Sequence, residues 1–216
     1  MAAIGINNLQ ELFQKIAQTI EKNAPELERL DSLMGDGDLG MTMTKGFWGI
    51  AGEKYPGGEK SLGKAFMKSG MALSSLVPST MGFLMGSGLM GAGKRLGEAA
   101  ELTSQGLLAF LTGYCEGIVK RGKCAPGERT VLDSFHGAKC ALEAGLEKAP
   151  GMDLSTGASL ALTGAKKGLE ETKTMVPKYG KAAIHSKAAE GVIDQGALAG
   201  YLVIQGIAEF VRDEAM

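Results

Sequence analysis

Along this chain apolar positions recur at intervals of three and four residues and almost nowhere at intervals of two. Leu9, Phe13, Ile16 and Ile20 form the first such series, with Asn8 and Glu11 spaced as a capping box at its start and Pro25 interrupting it. Further helices are expected over 43–51, 61–76 and 79–96. Leu107, Leu111, Tyr114 and Ile118 mark a fifth, which ends at the sequence KRGK. Segments 130–148, 154–173 and 197–212 complete a set of eight. Glycine and proline collect between these segments, in KYPGGEK, RGKCAPGER, KAPG and VPKYGK, and β-branched runs of period two are nearly absent. No internal repeat or heptad array is visible. The pattern predicts one all-α domain over 1–216 whose polar information sits in loops.

One stretch complicates that picture. Residues 71–93 carry no charge and are long enough to cross a bilayer. Pro78 lies inside it, however, among Ser74, Ser75, Ser79 and Thr80, and glycines recur at 82, 86, 88, 91 and 93. The reading is two buried helices joined at the proline, with no membrane span.

Composition narrows the core and the compartment. Hydrophobic residues make up 44% of the chain and aromatics only 6%, while there are 33 glycines and 12 methionines. Such a core packs Leu, Ala and Met against small residues, which suits closely approaching helices. A net charge of -1 provides no field for a nucleic-acid backbone or an anionic membrane. Cys115, Cys124 and Cys140 show no metal-binding spacing, and the N-terminus lacks a basic region followed by an apolar run, so a reduced, cytoplasmic setting is expected.

The chemistry gathers in four stretches. In MGDGDLGMTM, Asp36 and Asp38 lie two residues apart among Gly35, Gly37 and Gly40, with Asp31 upstream. Residues i and i+2 diverge on a helix, but an irregular glycine loop can aim both carboxylates at one point, with Asp31 reaching in from the preceding helix end. A hard cation such as Mg²⁺ takes oxygen ligands of this kind, completed by substrate phosphates. An EF-hand reading fails, because the twelfth position from Asp36 is Phe47. A solvated, helix-capping acidic loop explains the spacing as well.

In VPSTMG, Pro78 stops one helix, Ser79 or Thr80 can cap the next, and Gly82 leaves room for an anion near free N–H groups; an ordinary cap is the plainer alternative. RGKCAPGERTVLD mixes Arg121, Lys123 and Arg129 with two glycines and opens a helix at Thr130. GKAAIHSKAAEGVIDQGALAG sets Lys181 as a counter-charge and Asp194 with Gly196 at a helix start. His136 and His185 are isolated, and no nucleophile–base set or Walker loop is present, so no catalytic residue is assigned.

Together the four stretches resemble the nucleotide-binding L subunit of dihydroxyacetone kinase, the DAK2-type family, in order and spacing across nearly the whole chain. The resemblance implies an antiparallel barrel of eight helices with nucleotide at one end and two Mg²⁺ ions between Asp31, Asp36, Asp38 and the phosphates of ATP or ADP. It carries nucleotide contacts onto Leu39, Gly40, Met41, Thr42, Ser79, Thr80, Met81, Gly82, Gly122, Val131, Lys181, Asp194, Gln195 and Gly196. It implies that a separate K subunit holds the small ketose or aldose acceptor, and that a phosphoprotein serves as phosphate donor in some members. Leu39 stands where the family often has His, and Lys181 where it has Arg. Both changes remove polar phosphate contacts and point to nucleotide exchange with free ATP. Two alternatives stay open: the nucleotide domain of a fatty-acid kinase, and a nucleotide-loaded regulatory module without catalysis.

Overall fold

The computed structural model describes residues 4–53, 61–184 and 190–215, together with the backbone but not the side chains of 181 and 182. The loop expected at 54–60, the Lys181 side chain and His185 lie outside the described residues.

The described chain is almost entirely helical: α1 Leu9–Lys22, α2 Ala24–Met34, α3 Leu39–Ala51, α4 Leu62–Leu76, α5 Thr80–Leu96, α6 Ser104–Gly122, α7 Val131–Lys148, α8 Leu154–Glu171, α9 Gly180–Ile184 and α10 Gln195–Glu214. A two-residue strand, β1 Ile4–Gly5, pairs antiparallel with β2 Glu101–Leu102.

The eight helices expected from periodicity form a closed ring. In order around it, α1, α3, α4, α5, α6, α7, α8 and α10 each pack on the next, and α10 returns to α1. Neighbours run antiparallel. Gly63 faces Gly97 and Gly70 faces Gly86 across α4–α5; Gly91 meets Gly113 across α5–α6; Gly137 meets Gly164 across α7–α8. The ring closes where Lys15 pairs with Asp213 at 2.6 Å and the Thr19 hydroxyl donates to Glu209 at 3.0 Å. A Cβ at Gly91 or Gly137 would collide with backbone of the facing helix, so these glycines set the interhelical distance.

The barrel is filled. Phe13, Phe66, Phe110, Tyr114 and Phe135 form a chain of ring contacts through its interior, ending in a Tyr114–Phe135 stack with centroids 4.0 Å apart. The void left between Phe13, Phe47, Phe66 and Phe110 is about 10 Å³, room for one water at most. Any ligand site must therefore lie at an end or on the outside.

The expected elements need three corrections. Pro25 does more than interrupt α1: it sits in the first turn of a separate helix, α2, where a missing N–H is harmless. α2 lies outside the ring, against α3 and α10, and brings Asp31 to the barrel end. The Asn8 side chain does not cap α1. Its Oδ1 accepts from the Gly5 N–H at 2.8 Å, in the short 3-10 turn before the helix. α3 starts at Leu39, four residues before the expected 43, because the chain turns into the helix directly at Asp38. The break within 71–93 falls at Pro78 as expected, and among the described residues no helix is long and apolar enough to cross a membrane.

Candidate nucleotide and metal site

An up-and-down ring sends alternate helices the same way, so α3, α5, α7 and α10 all begin at one end. Their N-cap residues, Asp38, Ser79, Thr130 and Asp194, line a single cleft of about 490 Å³. Each helix start carries partial positive charge and N–H groups without helical partners, so four of them around one cleft make an anion-binding end.

Asp31, Asp36 and Asp38 line the same cleft, each with a carboxylate oxygen within 4.8 Å of the others; Asp31 is buried, and the other two are exposed. Gly37 makes the tight turn, with φ of 74°, a region that favours glycine. A side chain at Gly35 would strike the Asp31 carboxylate. Asp31 is held by the Asp38 N–H, which donates to its Oδ2 at 3.1 Å. Asp38 occupies the N-cap position of α3, yet its side chain makes no capping bond. Three like charges this close, one of them not used in capping, match the donor set for a hard divalent cation.

The other caps are engaged. Ser79 Oγ accepts from the Gly82 N–H at 3.1 Å, Thr130 Oγ1 from Leu132 at 3.2 Å and Asp194 Oδ2 from Ala197 at 2.8 Å. Asp194 is buried, and that burial pushes its carboxyl up to about 6, against the opposing pull of Arg129 and the Ala197 N–H. Asp133, also buried, accepts from Gly127 and Thr130 N–H groups at 2.6 and 2.7 Å and so shapes the α6–α7 loop. Burial raises its pKa as well.

Most of the residues expected to bind nucleotide meet here. Leu39, Thr42, Ser79, Thr80, Met81, Val131, Asp194, Gln195 and Gly196 line the cleft with the three aspartates. Gly122 lines an adjoining recess of about 330 Å³ with Phe83, Leu84 and Cys124. Thr80, Leu84, Thr130 and Tyr179 border both spaces. Three other expected residues line neither space. A side chain at Gly40 would meet the Ala24 carbonyl, so this glycine lets α3 approach α2. Met41 points outward, 63% exposed. Gly82 faces the Val77 carbonyl, and its N–H donates to Ser79 Oγ.

Among the cleft residues left unassigned in the sequence, two stand out. Arg129 is buried and has φ of 58°, turning its side chain inward. Tyr179, in the VPKYGK loop, walls both cleft and recess. The signal for Arg129 was its place in the RGKCAPGERTVLD stretch, and for Tyr179 only its place in a glycine-containing polar loop. A larger groove, about 670 Å³, runs along the outer face of α5 and α6 between Lys94 and Arg121. It has neither the carboxylate cluster nor the helix starts.

Fold and site define an all-α antiparallel helical barrel with an acidic, anion-accepting cleft at one end. Residues 33–209 match the DAK2 domain, and the chain belongs to that family. It is 27% identical over 183 residues to the PEP-dependent dihydroxyacetone kinase, ADP-binding subunit DhaL, of Escherichia coli, covering 84% of this chain and 86% of that protein. It is 24% identical to the L-erythrulose 1-kinase of Mycolicibacterium smegmatis and 29% identical to the triokinase/FMN cyclase of Homo sapiens. Those matches cover 94% and 93% of this chain but 35% and 34% of the relatives, so the chain spans about a third of their length. The fold matches the dihydroxyacetone kinase of C. freundii in complex with AMP-PNP and Mg²⁺, with a TM-score of 0.67 at 22% identity, over 95% of this chain and 34% of that one.

Proposed function

We propose that this chain is the Mg²⁺–nucleotide-binding subunit of a dihydroxyacetone kinase-type enzyme, supplying the phosphoryl group to a small ketose or aldose held on a separate K-like subunit. The observation that carries the reading is the meeting of three carboxylates and four helix starts in one cleft. Carboxylates alone would repel a polyphosphate, and helix starts alone would not hold a metal. Both together accept a metal–polyphosphate pair.

In this reading Asp31, Asp36 and Asp38 hold Mg²⁺, with two ions as the full complement. The bound metal supplies neutralisation of the charge on the transferring phosphoryl group. The N–H groups at the start of α5, beside Ser79, Thr80 and Met81, orient the phosphates. The recess lined by Phe83, Leu84, Gly122 and Cys124 takes the base. Phosphoryl transfer asks the protein for positioning and electrostatic stabilisation rather than a nucleophile, in keeping with a cleft lined by clustered carboxylates and helix starts. Free ATP is the proposed phosphate source, because Leu39 and Lys181 hold nucleotide less firmly than His and Arg would. The cytoplasm is the proposed location.

Titration calorimetry with ADP tests the binding step: saturable 1:1 binding that needs Mg²⁺ is expected, and its absence sinks the proposal. Sugar-dependent ATP consumption on adding a K-like subunit then tests the reaction.

A further inference from the structure

The α6–α7 loop does more than connect two helices. It grips the segment that begins at Met175 and supplies Tyr179 and Gly180 to the cleft wall. On the outside, the Lys178 ammonium pairs with Glu128 at 2.9 Å and the Tyr179 hydroxyl donates to the Lys123 carbonyl at 3.0 Å. On the inside stands Arg129, whose side chain has no solvent exposure. Its terminal nitrogens donate to the Val192 carbonyl at 2.9 Å and, more weakly, to the Met175 carbonyl at 3.5 Å. Its Nε lies 3.9 Å from the carboxylate of Asp194, the α10 cap. Nη2 also approaches the Met34 sulfur at 3.9 Å, three residues beyond Asp31. One side chain thus touches the end of α2, the cap of α10, and both flanks of the segment between α8 and α10.

We propose that Arg129 is a positioning residue for nucleotide retention: it pins the Met175–Gly180 wall of the cleft against the α6–α7 loop, so that nucleotide leaves only when that grip is released. The proposal rests on the reading of the cleft as a nucleotide site.

Three observations support it. Arg129 adopts a left-handed backbone conformation that non-glycine residues disfavour, and here that conformation turns the guanidinium inward. The donors of the guanidinium are directed at protein carbonyls and at Asp194, so its evident work is joining segments rather than contacting phosphate. Bridging two separate carbonyls while facing a carboxylate also requires the planar fork of arginine; a lysine ammonium is a single point of charge. Nearby, the Asp194 N–H donates to Thr172 Oγ1 at 2.9 Å and Gly191 N–H to the Lys173 carbonyl at 3.2 Å, closing the base of the same segment.

The test uses the Arg129→Lys variant, which keeps a cation facing Asp194 but cannot bridge Met175 and Val192. Stopped-flow binding of ribose-labelled fluorescent ADP in Mg²⁺ should show dissociation faster by about tenfold, the equivalent of one such hydrogen bond, with association little changed. Amide hydrogen exchange should rise in 175–180 and stay the same in α1 and α6. Unchanged dissociation and unchanged exchange would overturn the proposal. Faster dissociation with unchanged exchange would also overturn it, since Arg129 would then touch nucleotide directly. Should Arg129→Lys not fold, the double variant Lys178→Ala, Tyr179→Phe cuts the outer ties while keeping the ring. It should raise dissociation by about threefold, as exposed pairs do, together with exchange in 175–180, and no effect on either rejects the grip. If the wild-type protein binds no labelled ADP, the nucleotide reading fails, and exchange in Arg129→Lys alone decides whether the pin exists.

Discussion

The Arg129 guanidinium and the Asp194 carboxylate face each other at 3.9 Å, both buried, while Asp194 also caps α10 through the Ala197 N–H at 2.8 Å. The floor of the cleft therefore depends on a charged pair out of water, where burial disfavours ionisation of both partners.

That pair has a pH signature. Asp194 has a folded pKa of about 6 against a reference of 3.8. The folded state binds the proton more tightly, so this group's contribution favours folding most at low pH, below 3.8. It is lost as pH rises toward 6 and stays lost above it. Thermal unfolding of wild type and Asp194→Asn from pH 4 to 7.5 checks this: the difference between the two should change with pH below about 6 and level off above. A constant difference across the range contradicts the raised pKa.

The metal site predicts a separation of binding from stability. Asp36→Asn and Asp38→Asn should each weaken Mg²⁺-dependent ADP binding more than tenfold, roughly 1.4 kcal/mol. Without metal, their melting temperatures should equal or exceed that of the wild type, because carboxylate repulsion falls. Equal ADP affinity in wild type and both variants, by calorimetry, would remove the site.

Helix approach is testable at Gly91, where a Cβ would run into the Gly113 carbonyl, a backbone atom that cannot swing aside. Gly91→Ala should cost about 1–3 kcal/mol by denaturant unfolding, the usual range for overpacking. Gly151→Ala, where a Cβ meets nothing within 4 Å, is the control and should stay within about 0.5 kcal/mol.

The purified chain by itself should not phosphorylate dihydroxyacetone or a tetrose. In the proposed reading the nucleotide fills the cleft and its recess, and the acceptor is held by the partner subunit. Turnover by the pure protein, followed by ADP release, would reveal a second binding site for the sugar within this chain.

Much of this protein is set locally and was readable as such. Apolar spacing of three and four residues specified the eight ring helices, because that spacing places side chains on one helical face whatever the neighbours are. Pro78 divided the uncharged 71–93 stretch, since proline removes an N–H wherever it stands. The Asp36–Gly37–Asp38 turn announced converging carboxylates, because glycine at φ of 74° is a property of the residue itself. What tertiary structure decided was which groups met. Ring closure between α1 and α10 joins residues almost two hundred positions apart, a contact no local period encodes. Gly40 and Gly82 stand in the right motifs, yet each faces a backbone carbonyl of the protein, and only packing reveals that. Asn8 bonds backward to Gly5 because the chain arrives there in a 3-10 turn. Arg129 looked like one more cation in a polar loop. A left-handed residue turned it inward, and the carbonyls, sulfur and carboxylate that receive it come from segments brought together only by the closed barrel.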